Sequence, residues 1–243
     1  MSNQDSKDTH YHVSICAVEP SDVDDLVAIH TAAFESDQFS NLMLLNREEC
    51  AHQNLMRKSV LYWLTNPSTT KLFKAVEGNG KLLGWSCWVK KELEQKKSDD
   101  SKSSEAPSDP NLSKEKARSG KDMPREPARV LGGIMHKDMT SWESRQLEGT
   151  KYMVLQALAT HPEYQGRGIG TRLLQHGLEK IDSQSLACWI HASPSSYRLY
   201  EKAGFQEVGK SEYDLAEWAP VGTGGEVGWG TYTFRYMLRS AKS

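Results

Sequence analysis

A glycine-rich turn is the part of the sequence that is best equipped for chemistry. Residues 165–171 read Gln-Gly-Arg-Gly-Ile-Gly-Thr, and they join an apolar run from Tyr152 to Ala159 to an amphipathic helical pattern. Such a turn leaves backbone N–H groups without helical partners at the positive end of the helix dipole. Anionic phosphate is the natural ligand of those groups, and Arg167 adds a formal positive charge beside them.

Two nucleotide-binding patterns do not fit this turn. The Walker pattern needs Gly-Lys-Ser/Thr after its glycines, and no such triplet follows here. The Rossmann fingerprint needs another glycine spacing and an acidic residue at the end of a second strand about 20 residues later. Here Gly166, Gly168 and Gly170 alternate with other residues, and no acidic residue ends a clear second strand. The turn therefore predicts phosphate binding outside both classes.

The elements that must position the turn alternate between strands and helices. Val13 to Val18 predicts a first strand, and a Gly78-Asn79-Gly80 turn predicts a β-hairpin. The order is a strand, two helices, three strands, a helix, a strand, a helix and two strands. This order predicts an α/β fold with a mostly antiparallel front and a parallel crossover near the middle. The predicted later elements are a short helix within 129–150, strands 151–160, 186–191, 205–215 and 229–238, and helices 168–182 and 194–203.

The stretch from Leu158 through the turn and the following helix resembles the acetyl-coenzyme A signature of the GNAT superfamily of N-acetyltransferases. That signature is Gln or Arg, two residues, Gly, one residue, and Gly or Ala, and Gln165, Gly168 and Gly170 match it. A second segment, Leu-Tyr200-Glu-Lys-Ala-Gly-Phe, resembles the family's Leu-Tyr-Glu-x-x-Gly-Phe pattern. The resemblance is close over residues 151–215 and loose over the rest. The Ser-Pro-Ser-Ser stretch before this segment resembles the sequences of fungal branches of the family.

The resemblance implies the fold and the site of the co-substrate. The GNAT fold has a mixed central sheet of about six to seven strands flanked by helices. A splayed pair of parallel strands in that sheet forms the acetyl-CoA cleft. Ser193 stands where the family commonly has an asparagine. The residues implied for acetyl-CoA binding are Leu158, Ala159, Thr160, Gln165, Gly166, Arg167, Gly168, Ile169, Gly170, Thr171, Ser193 and Tyr197.

The resemblance also implies the mechanism, in which an amine attacks the thioester directly in a ternary complex. Backbone N–H groups would stabilise the oxyanion, and Tyr200 would protonate the departing thiolate as a general acid. Many family members place a glutamate base on the strand before the turn, but here that strand carries Gln156. The candidate bases are His191, which titrates in the right range, Glu35, Asp37, or a water chain. A lone histidine at a strand end is more often structural.

The acceptor would be a small-molecule or peptide amine. In the family, its site is built by the loop between the first two helices and by the final hairpin, here residues 35–41 and about 220–229. Acidic side chains in the first loop would attract a cationic amine. Trp85 and Trp88 lie on one predicted strand and should face opposite sides of the sheet. The candidate acceptor-site residues are Glu35, Asp37, Phe39 and Trp85.

Composition narrows the class of protein. The 243 residues suit one large domain or two small ones, and the resemblance implies a single N-acetyltransferase domain over 1–243. A net charge of −2 argues against a nucleic-acid partner. Four scattered cysteines predict a reducing compartment, and no ligand cluster predicts a metal. The N-terminus is polar, and no apolar run reaches the roughly 20 residues of a membrane helix. We therefore predict a cytoplasmic protein, with a nuclear one as the alternative, and leave its oligomeric state open.

Two segments are predicted to lie outside the folded core. Residues 1–11 are polar and predict a flexible N-terminus. Residues 91–128 consist almost entirely of Lys, Glu, Asp, Ser, Pro and Gly, so apolar burial cannot offset the entropy of ordering them. We predict a disordered polar insertion between neighbouring strands.

Two further readings stay open from the sequence. The absence of a carboxylate base leaves room for a non-catalytic module that binds acetyl-CoA as a sensor or scaffold. A wider cleft would accept a longer acyl group. The presence of Tyr200 together with the intact glycine turn favours the enzyme.

Overall fold

A computed structural model describes residues 13–92, 126–223 and 228–242 of the chain. Within these residues, seven strands form one mixed sheet. The strands are β1 (Val13–Ala17), β2 (Thr70–Glu77), β3 (Leu82–Glu92), β4 (Lys151–Thr160), β5 (Ala187–Ala192), β6 (Gln206–Asp214) and β7 (Thr231–Arg239). The α-helices are α1 (Val23–Phe34), α2 (Gln38–Leu44), α3 (Ala51–Leu64), α4 (Pro127–Leu147), α5 (Ile169–Asp182) and α6 (Tyr197–Lys202).

The strand order is β1-β2-β3-β4-β5-β7-β6, and β4 with β5 is the parallel pair. The other neighbours run antiparallel. This confirms the predicted α/β fold with a mixed sheet, flanking helices and a parallel pair at its centre. In the described ranges, no helix is both long and apolar enough to cross a bilayer.

The parallel pair separates after a short paired stretch. Residues 152–154 of β4 pair with 187–189 of β5, and the pairing ends there. The register of β4 with β3 shifts between Cys87 and Trp88, which leaves Gln156 as an extra residue in β4. A β-bulge of this kind bends the strand and increases its twist. The carboxyl ends of β4 and β5 therefore diverge, and a cleft opens between them.

Helices cover both faces of the sheet. The apolar stripe of α5 packs against Trp88 and its neighbours, and a Cβ at Gly177 would lie 2.1 Å from the Trp88 ring. Only glycine allows the helix so close to the strand. On the opposite face, α1 and α3 pack against Trp85. The prediction that the two tryptophans face opposite sides is confirmed.

The helices differ from the prediction in three places. The segment 35–41, predicted as a loop, contains the start of α2, because Asp37 Oδ1 accepts a 2.8 Å hydrogen bond from the Ser40 N–H as an N-cap. The predicted second helix, from Arg47, begins at Ala51 as α3. The short helix predicted within 129–150 is the 21-residue α4, whose buried face includes Leu131 and Met135.

The predicted insertion at 91–128 is shortened at both ends. Lys91 and Glu92 belong to β3, and Pro127 and Ala128 belong to α4. The rest of the predicted insertion, except Glu126, and the predicted flexible N-terminus lie outside the described residues.

Candidate active site

A cleft of about 1020 Å³ opens where β4 and β5 separate. Its walls come from the second halves of β4 and β5, the N-terminus of α5, the middle of α6 with the residues before it, the α1–α2 junction and β7. Most of the residues predicted for acetyl-CoA binding come together here. Those that line the cleft are Leu158, Ala159, Thr160, Gln165, Gly166, Gly168, Ile169, Gly170, Thr171 and Ser193.

The glycine turn presents the open end of a helix to this cleft. Gly166 and Gly168 have φ angles of 73° and 78°, which residues with a side chain rarely adopt. Gly168 is the N-cap of α5, and the first helical hydrogen bond runs 3.0 Å from Arg172 N–H to the Gly168 carbonyl. The backbone N–H groups of Ile169, Gly170 and Thr171 precede this bond, so they have no partner within the helix. The arrangement suits an anion such as a pyrophosphate.

Cationic side chains lie at the edge of the turn. The Arg167 guanidinium lies 5.1 Å from the centroid of the Tyr164 ring, and Arg167 is exposed outside the lining of the cleft. Lys81 Nζ lies 4.7 Å from the same centroid and donates a 2.6 Å hydrogen bond to the Tyr164 hydroxyl. Two cationic side chains therefore surround the Tyr164 ring at this edge of the cleft, with Glu163 also close to Lys81.

Tyr200 reaches the cleft from α6. Its side chain is only 5 % exposed, and its ring packs edge-on against Phe205. Burial raises the pKa of Tyr200 to about 12, because a phenolate in this setting would lose its hydration. Tyr200 therefore keeps its proton at neutral pH and can donate it.

His191 lines the same cleft from β5, but its basic nitrogen is occupied. The indole N–H of Trp189 donates a 2.8 Å hydrogen bond to His191 Nε2. An indole nitrogen only donates, so Nε2 must be the unprotonated nitrogen and Nδ1 must carry the proton of the neutral ring. Burial also lowers the pKa of His191 to about 4. Both features argue against the predicted role of His191 as the general base.

The two acidic candidates differ in position. Glu35 is exposed, and the structure places it outside the lining of the cleft. Asp37 lines the cleft, and beyond its capping bond to Ser40 its Oδ2 accepts a 2.8 Å hydrogen bond from the Tyr232 hydroxyl. Burial and the Asp37 carboxylate together raise the pKa of Tyr232. Among the described residues that line the cleft, Asp37 carries the only carboxylate.

Three aromatic predictions have different outcomes. Phe39 lines the cleft, with its ring centroid 5.6 Å from that of Tyr232. Trp85 is fully buried, and its Nε1–H donates a 3.0 Å hydrogen bond to the Leu26 carbonyl, so the prediction that it lines the acceptor pocket is wrong. Tyr197 lies outside the cleft, with the Arg235 guanidinium 4.1 Å from its ring centroid.

Sequence reasoning missed the aromatic side chains that α1 and β7 bring to the cleft. His30 stacks on Phe34 with ring centroids 4.4 Å apart, and both side chains line the cleft. Tyr232 and Phe234 line it from β7, with centroids 5.0 Å apart. The spacing of His30 and Phe34, four residues apart on a helix, placed them on one face, but nothing local distinguished a cleft face from a core face.

Known proteins resemble the chain in fold and in one sequence segment. Residues 130–207 match the family model described as an acetyltransferase (GNAT) domain. No curated protein sequence matches the chain significantly. Arylalkylamine N-acetyltransferase 2 from Aedes aegypti has a similar structure, with a TM-score of 0.62, 13% identity, and coverage of 95% of this chain and 100% of that one.

Two further solved structures are similar. A polyamine N-acetyltransferase from Drosophila melanogaster, which forms N-acetylagmatine, has a TM-score of 0.58 at 13% identity, and the match covers 94% of this chain and 99% of that one. An agmatine N-acetyltransferase has a TM-score of 0.59 at 13% identity, with the same coverage of 94% and 99%. At such low identity, these likenesses establish the fold.

The fold and the matched segment agree. The chain has the α/β GNAT fold, and residues 130–207 match the model of an acetyltransferase (GNAT) domain, a type of acyltransferase. The family uses acetyl-CoA as its co-substrate, and the glycine turn at the N-terminus of α5 fits the pyrophosphate of that molecule. The fungal-type branch stays a prediction.

Proposed function

We propose that this protein is an acetyl-CoA-dependent N-acetyltransferase that acetylates a small primary amine by direct attack in a ternary complex. One observation carries the proposal. A single cleft joins the open N-terminus of α5, the buried Tyr200 hydroxyl and an aromatic chamber. The chamber is lined by the rings of Phe34, Phe39, Tyr232 and Phe234 and by the carboxylate of Asp37. A donor site, a proton donor and an acceptor site are thus continuous.

The donor half of the cleft fits acetyl-CoA. The N–H groups at Ile169, Gly170 and Thr171 would bind the pyrophosphate. In the described part of the chain, no strand pairs with β4 beyond Val154 on the β5 side, so this edge can pair with the pantetheine arm as an added strand would. When bound, acetyl-CoA supplies a thioester carbonyl as the electrophile. Ser193, at the end of β5, offers a hydroxyl to the same arm.

Tyr200 would protonate the sulfur as it leaves. Its raised pKa keeps the phenol protonated at neutral pH, which is the state a general acid needs. A positioned acid typically contributes 10²–10⁴-fold to a rate. The enclosure of the side chain also keeps bulk water away from the hydroxyl.

The acceptor half favours an amine with one charge and an apolar or aromatic body. Its walls include Phe34, Phe39, Tyr232 and Phe234. Among the described residues of these walls, Asp37 is the one carboxylate available to an ammonium group, whereas a polycation would require several. The similar structures include N-acetyltransferases whose names specify arylalkylamine, polyamine and agmatine, and the chamber fits the first type best.

Release of free thiol from acetyl-CoA tests this proposal. We expect turnover with 2-phenylethylamine and much less with agmatine or spermidine at equal concentration. A thermal shift with acetyl-CoA alone measures donor binding separately. A clear shift without thiol release from any amine would contradict the enzyme and support the sensor or scaffold alternative. Efficient turnover of spermidine alone would contradict the aromatic monoamine.

A further inference from the structure

Two histidines from different helices share a hydrogen bond beside the cleft. His30 Nδ1 on α1 lies 3.0 Å from His52 Nε2 on α3. Aromatic rings enclose His30, with Phe34 at 4.4 Å and Trp85 at 5.9 Å between centroids. His30 lines the cleft, whereas His52 lies behind it and is only half-buried. The pair thus links a cleft-lining ring to a ring that is partly exposed to solvent.

The other cleft-lining groups are poor proton acceptors. Asp37 accepts hydrogen bonds from Ser40 and Tyr232 at its two oxygens, and its remaining lone pairs are those that would bind the ammonium group of the substrate. His191 Nε2 is occupied by the Trp189 indole. The side chain of Gln156, at the bulge in β4, is an amide that does not accept a proton usefully. Of the two imidazoles that line the cleft in the described residues, His30 is therefore the one with a ring nitrogen, Nε2, that no described hydrogen bond occupies.

A buried imidazole cannot hold a positive charge for long. Burial, and secondly the neighbouring His52, lower the pKa of His30 to about 3. Such a ring can accept a proton at one nitrogen only if the other nitrogen gives one up at the same time. The contact between His30 Nδ1 and His52 Nε2 allows His30 to pass on that second proton. His52 is more exposed than His30, so it is better solvated as a cation.

We propose that His30 accepts the proton of the attacking amine and that His52 relays a proton from His30 to solvent. The inference rests on the proposed N-acetyltransferase function. It requires the neutral tautomer in which His30 carries its proton on Nδ1, facing His52, and keeps the lone pair of Nε2 for the amine. His30 is then a catalytic residue, and His52 is a positioning residue that acts through it.

The step conserves atoms and charge. The neutral amine forms a C–N bond to the thioester carbon, and its nitrogen gives one proton to His30 Nε2. His30 passes its Nδ1 proton to His52 Nε2, and His52 releases its own Nδ1 proton to water. The C–S bond breaks with its electron pair on sulfur, and the sulfur takes a proton from Tyr200, which is reprotonated from solvent once the products have left the cleft. The overall reaction of the neutral amine yields amide and free thiol with no net proton change.

A measurement of the His30 tautomer tests the inference without any turnover. Long-range ¹H–¹⁵N spectra of protein labelled at histidine distinguish a protonated Nδ1 from a protonated Nε2. We expect His30 to be neutral at pH 6 with the proton on Nδ1, and His52→Gln to change the His30 signals. A proton found on His30 Nε2 in the wild-type protein would overturn the proposal, because that nitrogen would have no lone pair for the amine.

Variant kinetics provide the second test. We expect His30→Gln to lower kcat at least 100-fold and His52→Gln to lower it about tenfold, with binding of acetyl-CoA unchanged in a thermal shift. His176→Gln is the matched control, because His176 on α5 packs edge-on against Phe73 and does not line the cleft. A folded His30→Gln protein with wild-type kcat would contradict this inference and leave the proposed function intact. Failure of the wild-type protein to acetylate any amine would instead contradict the proposed function.

Discussion

The Trp189 indole N–H donates a 2.8 Å hydrogen bond to Nε2 of His191, two residues further along β5. The two side chains lie on the same side of the strand, where Trp189 is fully buried. This bond assigns the tautomer of His191 and removes its lone pair from the cleft. The sequence suggested His191 as a base, but the hydrogen bond from Trp189 leaves its neutral ring with only an N–H group, at Nδ1, to offer.

Buried neutral histidines make the fold sensitive to acid. The pKa of His191 falls from 6.5 to about 4 on folding, so the unfolded chain binds a proton first as the pH drops. Its contribution to stability is complete above pH 6.5 and is lost as the pH falls towards 4. We expect the free energy of unfolding to fall by about 1.4 kcal/mol per pH unit in this window for this residue.

Urea unfolding of the wild-type protein and two variants between pH 7 and pH 4.5 measures this dependence. His191→Gln, whose amide oxygen can still accept from Trp189, is expected to reduce the slope. His176→Gln on α5, whose ring packs edge-on against Phe73, serves as the control and should leave the slope as it is in the wild type. Equal slopes for the wild-type protein and His191→Gln would mean that His191 is not buried as the neutral form.

Removing the Tyr200 hydroxyl should separate binding from catalysis. Tyr200→Phe keeps the buried ring and deletes the proton donor, so we expect kcat to fall 10²–10⁴-fold with little change in the Kd of acetyl-CoA. Tyr197→Phe, three residues earlier and outside the cleft, is the matched control and should keep the wild-type rate. Steady-state thiol release and calorimetric titration provide the two numbers. An undiminished kcat in Tyr200→Phe would remove this residue from the mechanism.

The glycine turn should tolerate no side chain at Gly168. Its φ of 78° costs a residue with a Cβ about 1–2 kcal/mol, so Gly168→Ala should shift the helix N-terminus or strain it. We expect the Kd of acetyl-CoA to rise about tenfold, as measured by calorimetry. Gly78→Ala, in the β2–β3 turn where a Cβ meets nothing within 4 Å, should bind as the wild type does. Equal affinities for both variants would place the pyrophosphate elsewhere.

Asp37 is expected to attract the amine through its charge. Asparagine is an equally good N-cap, so Asp37→Asn should keep α2 folded while the carboxylate is lost. We expect the KM of the amine to rise about tenfold or more, because a hydrogen bond to a charged group is worth about 1.5–3 kcal/mol. Glu35→Gln, exposed outside the cleft, is the control. If both variants raise KM equally, the effect is one of general surface charge.

Local patterns predicted the donor half of the site and most of the sheet. The turn depends on glycines at 166, 168 and 170, and α5 depends on its apolar stripe. Both are patterns of neighbouring residues, and the structure has both where the sequence predicted them. Tyr200 could be identified as a candidate because the Leu-Tyr-Glu-x-x-Gly-Phe pattern is a continuous stretch of sequence. The start of α2 was missed because Asp37 in a polar stretch signals a loop as readily as an N-cap.

The sequence by itself determined what kind of element most segments form and where the glycine-rich turn lies, because hydrophobic period and glycine conformation act over a few residues. The tertiary structure decided which side chains meet in the cleft. It buried Trp85, occupied the lone pair of His191, and brought His30 within hydrogen-bonding distance of His52, 22 residues away. Such contacts depend on how helices pack on a bulged and splayed sheet. That packing arises from long-range burial, which no single stretch of sequence encodes.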